Sequence, residues 1–194
     1  MTPAVFIDRD GTMIHDVDYL SRAEDVEWYP WTMDAIRLLN RAGYLVCVVT
    51  NQGGIGLGRT NETFVRETHA GMARVLEASG ARVDGWYFCP HHPDAIIPEL
   101  AIGCMCRKPG RGMIDVAMQD HAIDLEKSFT IGDKAIDVAL GSGVGARGIL
   151  VKTGYGEGQL QKYGGTIPGA AHVADDLMSA VSWILRSPHV VRAS

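Results

Sequence analysis

Short apolar runs alternate along the chain with segments of helical periodicity, and this alternation restricts the fold more than any other feature. Five runs are predicted to be buried strands, at residues 4–8, 45–50, 85–88, 128–132 and 148–151. Helical patterns occupy residues 32–42, 61–79, 112–121, 134–140 and 175–185. Because such alternating elements form parallel sheets with right-handed crossovers, we expect one α/β domain over residues 1–194. Its parallel sheet should have about five strands, with helices on both faces.

Polar residues follow three of these predicted strands at the point where each strand ends. The sequences are Asp8-Arg9-Asp10-Gly11-Thr12, Thr50-Asn51-Gln52-Gly53 and Gly132-Asp133-Lys134, with Asp137 one helical turn later. Because the carboxyl ends of parallel strands meet at one edge of a sheet, we expect these side chains to share a site. Carboxylates hold Mg²⁺, and one aspartate can attack as a nucleophile while another moves protons. The set is typical of phosphoryl transfer, although Asp133 taken alone is better explained as a helix N-cap.

A cluster of thiols and imidazoles predicts a second metal site, in a stretch without regular patterning at residues 89–111. The candidate ligands are Cys89, His91, Cys104 and Cys106, with His92 as the alternative imidazole. Three thiolates and one imidazole make a closed tetrahedral set for zinc, which leaves no open position for catalysis. We therefore expect a structural zinc ion that staples residues 89–106 and contributes to their folding. Surface thiols without metal are the alternative.

Composition and charge exclude several classes of protein. The chain is 46% hydrophobic and 21% charged, which is ordinary for a globular protein. A net charge of -5 argues against nucleic acid or an anionic membrane as the main partner. We see no signal peptide and no apolar run of about 18 residues, so we expect a cytoplasmic protein that does not span a membrane. A monomer is expected, since no exposed amphipathic seam stands out.

Residues 153–169 are rich in glycine and are predicted to form a surface loop.

With these motifs the chain resembles the phosphatases of the haloacid dehalogenase superfamily. The resemblance covers about residues 4–151 and rests on D-x-D-G-T at residues 8–12, Thr50, Lys108 and G-D-x-x-x-D at residues 132–137. It implies a Rossmann-like domain without a large cap domain and an aspartyl-phosphate intermediate.

The same resemblance implies a role for each acid of the site. Asp8 would be the nucleophile, and Asp10 would act as the general acid and then as the general base. Mg²⁺ would be held by Asp8, by the backbone carbonyl of Asp10 and by Asp133. Asp137 would support this arrangement from behind without binding the ion directly.

The zinc loop narrows the resemblance to the D-glycero-D-manno-heptose-1,7-bisphosphate 7-phosphatases and the related histidinol-phosphate phosphatases. The 12 residues between His91 and Cys104 favour the heptose enzymes. We therefore expect removal of the 7-phosphate from a sugar bisphosphate, with Thr50 and Lys108 holding the transferred phosphoryl group. The expected substrate contacts are Asp16, Val17, Asp18, Tyr19, Thr50, Asn51, Gln52, Gly53, Arg107, Lys108 and Lys134. Gly53 departs from the serine that is usual in the heptose enzymes, and Pro30-Trp31 departs from their usual Pro-Gly.

Three other functions are open at this point. A histidinol-phosphate phosphatase would use the same acids on another substrate. A zinc-stabilised binding protein would keep the site without turnover. A nucleotide-dependent oxidoreductase would use the G-x-G-x-x-G pattern at residues 143–148. That pattern precedes a predicted strand instead of following one, so we interpret it as a loop.

Overall fold

A parallel sheet of six strands organises the computed structural model, which describes residues 1–187. The strands are β1 (Ala4–Ile7), β2 (Leu45–Asn51), β3 (Gly85–Cys89), β4 (Phe129–Gly132), β5 (Arg147–Val151) and β6 (Ala170–Ala174). Their order in the sheet is β3-β2-β1-β4-β5-β6, and every neighbouring pair is parallel. The five predicted strands are confirmed. The sixth was not predicted, because its sequence Ala-Ala-His-Val-Ala carries little apolar pattern and it lies at the sheet edge.

Six α-helices connect and cover the strands in the described part of the chain. They are α1 (Thr32–Arg41), α2 (Glu62–Ala78), α3 (Gly112–Asp120), α4 (Ala135–Val144), α5 (Gly156–Lys162) and α6 (Leu177–Arg186). Five correspond to predicted helices. The prediction of a surface loop over residues 153–169 is wrong, because α5 lies within it. Its glycines hide the helical pattern, while packing of Leu160 and a hydrogen bond from the Ala135 backbone N to Gln159 Oε1 (3.2 Å) hold it to the fold.

The glycine pattern at residues 143–148 spans the end of α4 and the start of β5. Gly145 ends the helix with φ 82°, a left-handed conformation that glycine adopts without strain. The pattern therefore ends a helix and leads into a strand, the reverse of the order in a dinucleotide-binding motif.

The two faces of the sheet bury different sets of side chains, as the alternation of a strand requires. Val5 and Ile7 of β1 pack in one cluster with α1, α2 and α6, whereas Ala4 and Phe6 pack in a second cluster with α3 and α4. Helices therefore cover both faces, as predicted. No helix among residues 1–187 is long and apolar enough to cross a membrane. The predicted domain extended to residue 194, and residues 188–194 lie outside the described residues.

The topology places the ends of β2, β1 and β4 side by side. Ile7 of β1 lies level with Val48 of β2 and Ile131 of β4. The Asp8 backbone N donates a hydrogen bond to the Ile131 carbonyl (2.8 Å), so the chain leaves β1 at a defined position beside β4. The polar residues that follow these three strands consequently lie at one edge of the sheet.

Candidate active site and zinc cluster

A buried lysine pairs with two buried carboxylates at this edge. Lys108 Nζ lies 2.9 Å from Asp8 Oδ1 and 2.6 Å from Asp137 Oδ1, and it donates a hydrogen bond to the Val49 carbonyl (2.9 Å). Only 4% of Lys108 is exposed. Burial alone would lower the pKa of Lys108, but the charges of Asp137 and Asp8 outweigh burial and raise this pKa. The lysine is therefore a fixed positive charge beside Asp8.

Asp133 completes a group of three carboxylates. One oxygen of each of Asp8, Asp133 and Asp137 lies within 4.8 Å of the others. Burial, and next the charge of Asp8, raise the pKa of Asp133 to about 7. Asp133 Oδ2 accepts a hydrogen bond from the Tyr155 backbone N (2.8 Å), whereas Oδ1 is buried without a hydrogen-bond partner among residues 1–187. A buried carboxylate oxygen that accepts no hydrogen bond, with only Lys134 Nζ at 3.6 Å and a like charge beside it, fits a divalent cation such as Mg²⁺.

Two glycines make room for the Asp133 carboxylate. Gly11 and Gly154 have φ values of 77° and 56°, and a Cβ on either would collide with the Asp133 side chain. The Thr153 hydroxyl donates a hydrogen bond to the Gly11 carbonyl (2.6 Å), which ties the loop after β5 to the loop after β1. Thr153, Gly154 and Tyr155 were not among the predicted site residues. Their position just after β5, at the same edge of the sheet as the site acids, could have indicated that they belong to the site.

The Asp10 carboxylate is held by the neighbouring Arg9 and by side chains at the end of β2. It accepts hydrogen bonds from Arg9 Nη2 (3.0 Å), Gln52 Nε2 (2.9 Å) and the Thr50 hydroxyl (3.5 Å). Burial would raise the pKa of Asp10, but the Arg9 guanidinium outweighs it and holds this pKa below its usual value. Its side chain is not part of the three-carboxylate group.

Arg9 was not among the predicted site residues, yet it lies at the centre of the contacts around Asp10. It is 1% exposed, and besides Asp10 it contacts Gln52 Oε1 (3.0 Å) and His69 Nε2 (3.2 Å). Burial, and next the charge of Arg9, lower the pKa of His69 to about 3, so the imidazole is neutral. Its position in the sequence, directly between the two site acids Asp8 and Asp10, could have indicated that it belongs to the site.

The segment of residues 16–19 lies beside these acids. Lys134 Nζ is 3.4 Å from Asp16 Oδ2, and the Tyr155 hydroxyl donates a hydrogen bond to Asp18 Oδ1 (3.0 Å). Asp18 and Tyr19 line a small pocket together with Asp10, Asn51, Gln52 and Gly53. Val17 is exposed and does not line this pocket.

Asn51 and Gly53 position the loop that carries Arg107 and Lys108. Asn51 Oδ1 accepts a hydrogen bond from the Lys108 backbone N (2.9 Å), and Asn51 Nδ2 donates to the Lys108 carbonyl (3.4 Å). A Cβ on Gly53 would lie 2.8 Å from His92 Cδ2 and 3.3 Å from Arg107 Nη1. Gly53, which stands where the heptose enzymes usually have serine, therefore lets the loop pack closely on the end of β2.

The four predicted zinc ligands converge on one point. The Sγ atoms of Cys89, Cys104 and Cys106 are 3.1–3.7 Å apart, and His91 Nδ1 lies 3.5 Å from Cys89 Sγ and 3.2 Å from Cys106 Sγ. A tetrahedral zinc ion with these ligand types has edges of about 3.5–3.8 Å, close to the observed spacing. His92 packs instead against Gly53. The geometry therefore selects His91 over His92, and the group fits zinc.

The strand order, the acids after β1 and β4, and the lysine between them define a hydrolase of the haloacid dehalogenase type. The family model described as HAD-hydrolase-like matches residues 105–180. A D-glycero-D-manno-heptose-1,7-bisphosphate 7-phosphatase of Thermosynechococcus vestitus is 38% identical over 186 residues, which cover 94% of this chain and 95% of that protein. The chain belongs to the D-glycero-D-manno-heptose-1,7-bisphosphate 7-phosphatase family and is a phosphatase acting on phosphate monoesters.

Further relatives and solved structures agree with this family. A D-glycero-beta-D-manno-heptose-1,7-bisphosphate 7-phosphatase of Rhodopseudomonas palustris is 40% identical and covers 75% of this chain and 81% of its own. The crystal structure of D,D-heptose 1,7-bisphosphate phosphatase from B. bronchiseptica, complexed with magnesium and phosphate, has a TM-score of 0.83 and 30% identity. It covers 94% of this chain and 98% of that one. A putative HAD-like phosphatase from Mesorhizobium loti has a TM-score of 0.78 and 33% identity, over 96% and 89% of the two chains.

Proposed function

We propose that this phosphatase removes the 7-phosphate of D-glycero-D-manno-heptose 1,7-bisphosphate. The main support is the pairing of Lys108 with Asp8, next to Arg107 on the loop that the Cys/His cluster ties together. One cation can then hold the phosphate under attack while the other binds a second phosphate. The relative from Thermosynechococcus vestitus, named for this activity, supports the choice of sugar.

In the proposed reaction, Asp8 attacks phosphorus and its carboxylate forms an aspartyl-phosphate as the bond to the sugar oxygen breaks. The negative charge of the bound phosphate opposes the effect of Arg9 and raises the pKa of Asp10, so that Asp10 can carry a proton in the complex. Asp10 donates this proton to the leaving oxygen and then takes one from the water that hydrolyses the intermediate. Lys108 and the Thr50 hydroxyl hold the phosphoryl oxygens. Inorganic phosphate and the monophosphate of the sugar are the products.

We propose that Mg²⁺ is held by Asp8, Asp133 and the backbone carbonyl of Asp10. When bound, the ion neutralises charge on the phosphate. Asp137 has a different part, because its Oδ1 pairs with Lys108 and its Oδ2 accepts a hydrogen bond from the Lys134 backbone N (3.0 Å). Asp137 therefore orients the lysine.

We propose that zinc bound by Cys89, His91, Cys104 and Cys106 is structural. Arg107 follows the last ligand directly, and its Nη1 donates a hydrogen bond to the His91 carbonyl (2.9 Å). The ion would thereby fix the direction of Arg107 and Lys108. Reduced thiols of this kind are typical of the cytoplasm, where we place the enzyme. A single domain and a monomer remain our predictions.

A substrate panel tests the proposed function. The enzyme is assayed for phosphate release with and without Mg²⁺, on both anomers of the heptose 1,7-bisphosphate, histidinol phosphate and p-nitrophenyl phosphate. We expect Mg²⁺-dependent release, with kcat/KM for one bisphosphate anomer at least about 100-fold above the other classes, because a paired charge contact is lost without the second phosphate. A kcat/KM for histidinol phosphate that equals or exceeds it would overturn the choice of substrate.

Removing one zinc ligand tests the role of the cluster. We expect Cys106→Ser to lose bound zinc and to lower the free energy of unfolding by more than about 2 kcal/mol, because metal binding supplies folding energy to an irregular loop. The kcat/KM should fall with it, since Lys108 is two residues away. Cys47→Ala is the control for zinc content, because Cys47 lies in β2 outside the cluster and its variant should keep the bound zinc. Zinc content and urea unfolding are the measurements, and a Cys106→Ser protein with unchanged zinc would refute the ligand set.

A further inference from the structure

Tyr155 contacts two parts of the site that are far apart in the chain. It lies between β5 and α5, and its side chain is partly exposed. Its backbone N donates a hydrogen bond to Asp133 Oδ2 (2.8 Å), and its hydroxyl donates one to Asp18 Oδ1 (3.0 Å). One residue thus bridges the three-carboxylate group and the segment of residues 16–19.

Lys134 contacts both sides of this bridge and the ring of Tyr155. Its Nζ lies 4.4 Å from the centre of the Tyr155 ring, 3.4 Å from Asp16 Oδ2 and 3.6 Å from Asp133 Oδ1. A cation over the face of an aromatic ring is attracted to it, and a hydrogen bond to a carboxylate is stronger than one between neutral groups. The Tyr155 side chain is therefore held between a cation and an anion, pointing at the segment of residues 16–19.

That segment has one internal side-chain contact, a hydrogen bond from the Asp18 backbone N to Asp16 Oδ1 (2.8 Å), and further contacts with the rest of the protein. Asp18 has φ 63°, an unusual value for a residue other than glycine, and Val17, Asp18 and Tyr19 are all exposed. Backbone of this kind persists when surrounding contacts hold it. The hydrogen bond from Tyr155 is a long-range contact made directly to the residue with positive φ.

We propose that Tyr155 is a positioning residue that holds the segment of residues 16–19 in place for the sugar end of the substrate. The inference rests on the proposed function, because that segment is the expected sugar contact. Asp8 and Lys108 act on the phosphate independently of the phenol. Loss of the Tyr155 hydroxyl therefore weakens sugar binding and leaves the chemical step close to its original rate.

The test compares Tyr155→Phe with Tyr163→Phe. The first change removes the hydrogen bond to Asp18 and keeps the ring and the backbone contact with Asp133. Tyr163 is a matched control, because it is similarly exposed and follows the other end of α5. Two readouts are measured: KM and kcat for the best sugar phosphate of the panel, and the rate of trypsin cleavage after Arg22, followed by mass spectrometry. Arg22 is exposed and is the single trypsin site between Arg9 and Arg37.

We expect Tyr155→Phe to raise KM about two- to tenfold, the worth of one hydrogen bond, with a smaller change in kcat. Cleavage after Arg22 should accelerate, and Tyr163→Phe should behave as the wild type in both assays. Unchanged cleavage after Arg22 would overturn the proposal. Faster cleavage with an unchanged KM would also overturn it, and so would a fall in kcat as large as the rise in KM. The cleavage assay needs no substrate, so even if the enzyme rejects the heptose bisphosphate it shows whether Tyr155 holds the segment of residues 16–19, and unchanged cleavage then overturns the proposal separately from the proposed function.

Discussion

Asp8→Asn is expected to lower kcat by about 10⁴-fold or more, because an amide cannot form the aspartyl-phosphate. The fold should persist. Lys108 keeps its 2.6 Å ion pair with Asp137, and the loss of one charge reduces repulsion within the three-carboxylate group. We therefore expect the Tm to change by less than about 5 °C. Steady-state phosphate release and thermal unfolding measure the two effects.

Asp175→Asn is the matched control for this change. Asp175 is exposed and pairs with Lys152 at 2.6 Å, at the end of β6 and outside the three-carboxylate group. Its variant should retain wild-type kcat. If Asp8→Asn also retained near-wild-type kcat, Asp8 would not be the nucleophile.

Lys108→Met is expected to produce the largest loss of stability of any single substitution that we consider. Methionine fills a similar volume but leaves the Asp8 and Asp137 carboxylates buried without their shared cation. Breaking a buried ion pair in this way costs about 3–5 kcal/mol. The kcat/KM should fall by at least about 10³-fold, because the charge that stabilises the transferred phosphoryl group is lost. Urea unfolding without added Mg²⁺ and phosphate release with it are the measurements.

Lys127→Met serves as the control for charge removal. Lys127 forms an exposed ion pair with Asp124 (2.9 Å) next to β4, and solvent screens such pairs. We expect no measurable change in its unfolding or activity. Wild-type stability in the Lys108→Met protein would show that the buried pair does not hold the carboxylates together.

Local pattern was sufficient to predict most of the elements that position the site. The five strong strands and five of the helices have periodic or continuous apolar sequences, whose burial is favoured wherever the chain folds. β6 and α5 were missed because Ala170–Ala174 and Gly156–Lys162 are poor in large apolar residues. Both are stabilised by neighbours: β6 pairs with β5, and Gln159 of α5 binds the start of α4.

The residues of the candidate site likewise fall into those that local pattern could predict and those that it could not. Asp8 and Asp133 directly follow strands and Thr50 lies near the end of β2, so their convergence could be expected from the topology of a parallel sheet. Arg9 and Tyr155 could not be assigned, because their importance depends on contacts across the fold. Arg9 reaches His69, 60 residues away, and Tyr155 reaches Asp18, 137 residues away.

Sequence by itself determined the order of strands and helices along the chain, the acids after β1 and β4, and the set of thiols able to bind zinc. Tertiary structure alone decided that His91 and not His92 meets the thiols, that Lys108 is buried between Asp8 and Asp137, and that Tyr155 touches Asp18. The physical reason is the separation in sequence over which each kind of interaction acts. Periodicity and turn preference act between residues close in the chain, whereas a 3 Å contact between remote residues exists only after the sheet and helices have packed.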